Sequence, residues 1–269
     1  MTASASARNL LLRLRVKRGA LLRRYDDDAL HQLRVTLRRL RSLLRHIEGD
    51  QAQALRRDLG HLADATNAAR DWDTLASRAR ESLKPRDFRS VRAWLEENRS
   101  ASHQLALQML RSDTWSQVVG RLEDSIQHGE LATALESRGG GDIARAKCAA
   151  NRAWSRVRVA HDNKDWHKLR VAIKELRYTF DSVPRGSQEA PKQKLVKHCK
   201  RLQNDLGVWH DTVVHVRMLE EFVQSLDRES ESELHDVLKR WCKQMEREAC
   251  DTLDDARSLL AGKGSDLLQ

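Results

Sequence analysis

An eleven-residue segment recurs in this chain, and the recurrence constrains its fold more than any other feature. His31-Gln32-Leu33-Arg34-Val35-Thr36-Leu37-Arg38-Arg39-Leu40-Arg41 returns as His167-Lys168-Leu169-Arg170-Val171-Ala172-Ile173-Lys174-Glu175-Leu176-Arg177, an offset of 136. A second echo follows each copy, since Leu62 through Arg70-Asp71 resembles Leu202 through His210-Asp211 at an offset of 140. The four-residue slip falls where Pro184, Gly186 and Pro191 mark a loop, and loops tolerate insertions. Self-similarity at a fixed distance implies two related structural units. The Gly139-Gly140-Gly141 stretch divides them into residues 1–138 and 139–269.

The units are predicted to be all α. Three Pro and 12 Gly in 269 residues are too few for the frequent turns of a sandwich or barrel, or for a Gly-rich nucleotide fold. Helices are expected near 6–24, 28–48, 51–82 and 87–111, with a shorter one near 113–136, and then near 142–161, 164–183, 189–225 and 230–261. Asp26 to Asp28 and Asp162 to Asp165 stand where N-caps belong. Charged residues make up 33% of the chain and apolar ones 40%, which requires amphipathic helices with charged outer faces. The first 25 residues are free of acids and contain several Arg and Ser, as in a mitochondrial presequence, but they are read as the first helix of the repeated unit.

The repeated segment carries two stripes. With Leu33 at zero on a helical wheel, Leu37, Leu40, Leu44 and Ile47 fall within about 40 degrees of it and form a core stripe. Leu169, Ile173, Leu176, Phe180 and Val183 repeat that spacing. His31, Arg34, Arg38, Arg41 and Arg45 fall between roughly 80 and 160 degrees on the same wheel and form a basic stripe beside the core. A face needing only solubility would mix signs, because like charges three or four residues apart repel by a few tenths of a kcal/mol. No acid occurs between His31 and His46. His167, Arg170, Lys174 and Arg177 keep the stripe in the second copy although Arg39 has become Glu175. A charge-assisted contact from such a flank to phosphate is worth about 1.5–3 kcal/mol, enough to offset the repulsion. The net charge of +10 also points to a polyanionic partner.

The pattern His31-x-x-Arg34-x-x-x-Arg38-Arg39-x-Arg41 and its second copy, with Leu202-Gln203-x-x-Leu206-Gly207-x-x-x-Asp211, resembles the CHAD family, the conserved histidine α-helical domain. The resemblance spans nearly the whole chain. It implies two four-helix bundles related by an internal pseudo-two-fold repeat around a basic central groove that binds inorganic polyphosphate, without catalysis. It also implies association with polyphosphate granules. Glu175, where a second basic residue is common, and Asp181, opposite Arg45, imply a weaker second copy. CHAD domains often follow a CYTH triphosphatase domain, whose ExExK strand motif is not found in this sequence.

Further basic candidates are the i,i+4 pairs Arg13 with Lys17, Lys197 with Arg201, and Arg152 with Arg156. Asp71, Asp73 and Asp211 are read as Arg anchors or helix caps, not as catalytic groups. Asp28 with His31 and Asp58 with His61 are the nearest approaches to a bundle metal site, so no metal and no cofactor are expected. Seven dispersed Trp suit helix packing better than base stacking. Sequence-independent nucleic-acid binding is the first alternative, since charge alone does not separate two kinds of phosphate chain. A metal-dependent phosphohydrolase is the second, and it needs clustered carboxylates that the stripe lacks. Cys148, Cys199, Cys242 and Cys250 show no CxxC spacing. Together with the lack of a long apolar run, this fits a cytoplasmic protein away from the membrane.

Overall fold

A computed structural model describes residues 3–45, 47–128, 141–159, 162–183, 191–227 and 231–262. The fold is all α, with helices and no strands among those residues. Gly139, Gly140 and the expected loop residues Pro184 and Gly186 lie outside them. The chain divides into two compact units, Met1–Gly139 and Gly140–Gln269. Among the described residues no helix is long and apolar enough to cross a membrane.

The first unit contains α1 (Ala3–Arg23), α2 (Asp27–Leu44), α3 (Asp50–Asp64), α4 (Asn67–Ser82), α5 (Pro85–Arg111) and α6 (Asp113–His128). The repeated segment forms α2, which packs against α1, α3 and α4. Asp26 caps it by accepting from the Ala29 amide at 2.7 Å. Asp27 and Asp28 in the first turn suit the positive end of the helix dipole. The core stripe is as the wheel predicts: Leu33 and Leu37 are fully buried, with Leu40 and Leu44 beside them. Each such leucine contributes about 1.5–3 kcal/mol of burial free energy.

One expected helix is two. The stretch predicted as continuous from 51 to 82 breaks at Ala65 and Thr66, although neither Gly nor Pro stands there. The first unit therefore holds six helices among the described residues, α3 and α4 together taking the place of one. The break is held locally by Thr66, which donates to the Ala63 carbonyl, and from a distance by Arg34 of α2.

A buried carboxylate ties α4 to the α1–α2 connection and to α5. Asp73 is 1% exposed and accepts from the Tyr25 hydroxyl at 2.7 Å and from Arg99 Nε and Nη2 at 3.1 and 3.0 Å. It also lies 2.7 Å from His103 Nε2, whose ring stacks on Tyr25 with centroids 3.6 Å apart. Asp73 is thus an Arg anchor, as its sequence reading held.

The second unit contains α7 (Gly141–Val157), α8 (Asn163–Ser182), α9 (Gln193–Ser225) and α10 (Ser232–Ala261). Its copy of the segment forms α8, capped by Asp162, which accepts from the Lys164 amide at 3.1 Å. Leu169, Ile173, Leu176 and Phe180 are buried in one core with residues of α7, α9 and α10. Trp166 fills its centre between Trp154 and Trp209, and the Arg257 guanidinium lies 5.2 Å from its ring centroid. Tryptophan serves packing here, as the dispersed positions suggested.

Candidate functional site

The basic stripe of α2 gathers four cationic or ionisable groups at one corner of the first unit. His31, Arg34 and Arg38 come from α2, and Arg70 joins them from α4. Burial, together with Arg70, Arg38 and Arg34, pushes the His31 imidazole below its ordinary value against the opposing pull of Asp28. His31 therefore stays neutral near pH 7 and offers one donor and one acceptor.

The arginines of this stripe play different parts. Arg34 Nη1 donates to the Ala63 carbonyl at 2.7 Å and to Thr66 Oγ1 at 2.9 Å, while Nη2 donates to Asn67 Oδ1 at 2.6 Å. It thereby adds a donor to the Ala63 carbonyl, which also accepts from the Thr66 amide at 3.2 Å and the Thr66 hydroxyl at 2.8 Å, and bonds the first residue of α4. Burial, with Arg38 and Arg70 nearby, lowers its pKa to about 10, more than Asp71 and Asp64 compensate. Within the stripe, Arg34 is thus engaged by protein oxygens. Arg38 and Arg41 are half-buried, and the Nε of each is shut off from solvent with no hydrogen-bond partner. A buried charged donor left unpaired carries a desolvation penalty, which the charge of an anion at the exposed part of the same guanidinium would offset. Arg45 is exposed at the end of the stripe.

The second unit builds a related cluster from other residue types. His167, Arg170 and Lys174 on α8 meet His210 on α9, with the two imidazole centroids 5.2 Å apart. Burial, then Arg170, His167 and Lys174, lowers His210 to about 4, and burial with Arg170 and Lys174 also lowers His167. Arg177 is drawn toward neutral and acidic partners, donating to Gln203 Oε1 at 3.1 Å and pairing with Asp181 at 3.5 Å. Asp181, marked in the sequence as implying a weaker second copy, is thus the acidic partner of Arg177.

These histidines give the second unit an acid sensitivity of definite sign. Their pKa values are depressed in the folded state relative to about 6.5 in the unfolded chain. Stability is therefore full above about pH 6.5 and is lost as pH falls toward the folded values. The thermal midpoint should fall between about pH 7 and 5, and His210→Gln should flatten that slope. A polyanion bound at the cluster raises both pKa values, so its affinity should rise over the same interval. Midpoint scans against pH for both proteins, with and without inorganic polyphosphate, check this. A wild-type slope unchanged by His210→Gln would refute it.

The remaining candidates stand apart in character. Arg13, Lys197 and Arg201 are exposed, Lys17 is half-buried, and Arg201 Nε lies 3.8 Å from Asp205 Oδ2. Arg70 and His210 were missed as site residues. Their signal was already in the second echo, where each directly precedes the matched Asp71 or Asp211. Among the described residues no group of three His, Cys, Asp or Glu is placed to hold a metal ion.

The CHAD domain model matches residues 5–220, most of the chain. This protein belongs to the CHAD domain family. The match covers α1 through most of α9 and leaves α10 outside it. A CHAD domain from the plant Ricinus communis, solved by crystallography, superposes with a TM-score of 0.75 at 24% identity, covering 96% of this chain and 90% of that one. PptA from Streptomyces chartreusis superposes with a TM-score of 0.69 at 15% identity, covering 96% of both chains. At those identities the likeness is one of fold. The uncharacterized protein Rv2226 of Mycobacterium tuberculosis is 29% identical over 210 residues. The match covers 70% of this CHAD chain and only 39% of that protein.

Proposed function

We propose that this CHAD domain is a non-catalytic binder of inorganic polyphosphate in the cytoplasm, associated there with polyphosphate granules. The observation that carries the reading is the pair of half-buried arginines, Arg38 and Arg41, whose Nε donors have no partner, beside the cationic corner of His31 and Arg70. A dense polyanion brings acceptors to the exposed parts of these half-buried guanidinium side chains, and family membership favours polyphosphate among polyanions. The second unit offers a parallel surface at His167, Arg170, Lys174 and His210. Arg45, Arg13, Lys17, Lys197 and Arg201 extend the basic surface of their own helices.

Competition between long-chain polyphosphate, single-stranded RNA and double-stranded DNA at physiological salt tests the reading. Polyphosphate should win. Its affinity should fall steeply between about 50 and 200 mM salt, because each neutralised phosphate releases counterions. A flat salt response, or tighter binding of RNA, overturns the proposal in favour of its alternatives. Purified protein with Mg²⁺ or Mn²⁺ should release no phosphate from polyphosphate or nucleoside triphosphates. Turnover abolished by Asp71→Ala or Asp211→Ala would show instead that these carboxylates serve metal-dependent hydrolysis.

A further inference from the structure

Gly60 stands inside α3, where its presence needs a reason. Glycine in a helix interior destabilises it relative to alanine. Its backbone does not require glycine, because the one positive φ among the described residues belongs to Gly49. What the position does require is the missing side chain. A Cβ placed on Gly60 would lie 3.2 Å from Arg41 Nη2, 3.3 Å from Cζ and 3.6 Å from Nε. The Arg41 guanidinium thus rests directly against the α3 backbone, with three of its atoms touching the space a methyl group would fill.

The second unit shows the other way to hold such a group. At the offset of the second echo, the counterpart of Gly60 is Lys200, which is exposed. Arg177, the counterpart of Arg41, is held by Gln203 and Asp181, acceptors that compete with an incoming anion. Arg41 Nε has no acceptor. A flat backbone platform fixes the plane of the guanidinium without consuming its donors, which is the condition for a preorganised phosphate contact.

We propose that Gly60 is a positioning residue for polyphosphate, acting through Arg41 by leaving room for its guanidinium against α3. The proposal rests on the reading that Arg41 contacts polyphosphate. A methyl group at Gly60 pushes aside the far end of a flexible side chain, so folding is spared while the contact geometry is lost. Gly60→Ala should therefore weaken polyphosphate binding by roughly five- to tenfold, part of one charge-assisted contact. The thermal midpoint should hold or rise, since alanine is the better helix former. Gly60→Ser should weaken binding in the same way.

The decisive measurement is a double-mutant cycle with Arg41→Ala, reading polyphosphate affinity and thermal midpoint for all four proteins. In the Arg41→Ala background, Gly60→Ala should cost nothing further. Wild-type affinity in both Gly60 variants overturns the proposal, as does an equal loss with and without Arg41. A fall in midpoint that accompanies the loss of binding makes Gly60 scaffold and also overturns it. Failure of the wild-type protein to bind polyphosphate overturns the functional reading itself, a result the cycle separates from the others.

Discussion

Asp73→Ala should lower the thermal midpoint of the chain by roughly 10 °C, because removing one partner of a buried ion pair costs about 3–5 kcal/mol. The carboxylate is sealed from water and holds Tyr25, Arg99 and His103 at once. Alanine leaves the guanidinium with a lost partner and the hydroxyl with a lost acceptor in the same cavity. Asp73→Asn should cost less, since an amide oxygen can still accept from one donor. The pH response has its own sign. Burial alone would raise the Asp73 pKa, but hydrogen bonds from His103, Tyr25 and Arg99 outweigh it and hold the carboxyl below its ordinary value. A depressed carboxylate contributes stability above the unfolded pKa near 4 and loses it as pH falls through the folded value. The Asp73 tie should thus weaken below about pH 4, a lower window than the one set by the lowered histidines of either unit. At the offset of the second echo, Val213 replaces Asp73, so that position carries no carboxylate in the second unit. Thermal scans of wild type, Asp73→Ala and Asp73→Asn across pH check both points. A midpoint for Asp73→Ala within about 2 °C of wild type would show the cluster to be dispensable.

The parts of this fold that follow from local pattern were legible, and the parts set by distant contacts were not. The stripe Leu33, Leu37, Leu40 and Leu44 could be read because helical periodicity fixes which face is buried. Asp26 and Asp162 could be read as caps because a cap bonds within its own first turn. The break at Ala65 and Thr66 had no such signature, since Ala63-Asp64-Ala65-Thr66-Asn67 contains no helix breaker. Thr66 closes the turn locally by donating its amide and hydroxyl to the Ala63 carbonyl, and Arg34, 29 residues from Ala63 in sequence, adds donors to Ala63, Thr66 and Asn67. The second unit lacks that arrangement: Leu206 and Gly207 stand where Thr66 and Asn67 do, and α9 runs through unbroken. The same reasoning explains the site. Periodicity placed Arg34, Arg38 and Arg41 on one flank, but only packing separates the arginine that staples a corner from the two whose Nε remains unpaired. Arg70 and His210 could have been included from the repeat alone, because two residues that precede equivalent aspartates in equivalent echoes occupy equivalent places.

That separation of roles sets the last expectation. Arg38→Glu with Arg41→Glu should reduce polyphosphate affinity by at least about a hundredfold, two charge-assisted contacts of about 1.5–3 kcal/mol each being lost. The protein should stay folded, because neither side chain belongs to the Leu33 core stripe and relief of like-charge repulsion favours the helix. Arg34→Glu should behave differently. It removes the donor shared by Ala63, Thr66 and Asn67 and sets a carboxylate against their oxygens, so its loss appears first as a lowered thermal midpoint. Reversal of Arg170, Lys174 and Arg177 together should weaken binding less than the Arg38 and Arg41 pair does. Arg177 is already engaged by Gln203 and Asp181, and it gives up protein partners to reach phosphate. Affinity and midpoint measured side by side for the three variants order these roles. Full affinity in the Arg38 and Arg41 variant would show that the unpaired donors are not the phosphate site. An unchanged midpoint in Arg34→Glu would show that the α3–α4 corner closes without its staple.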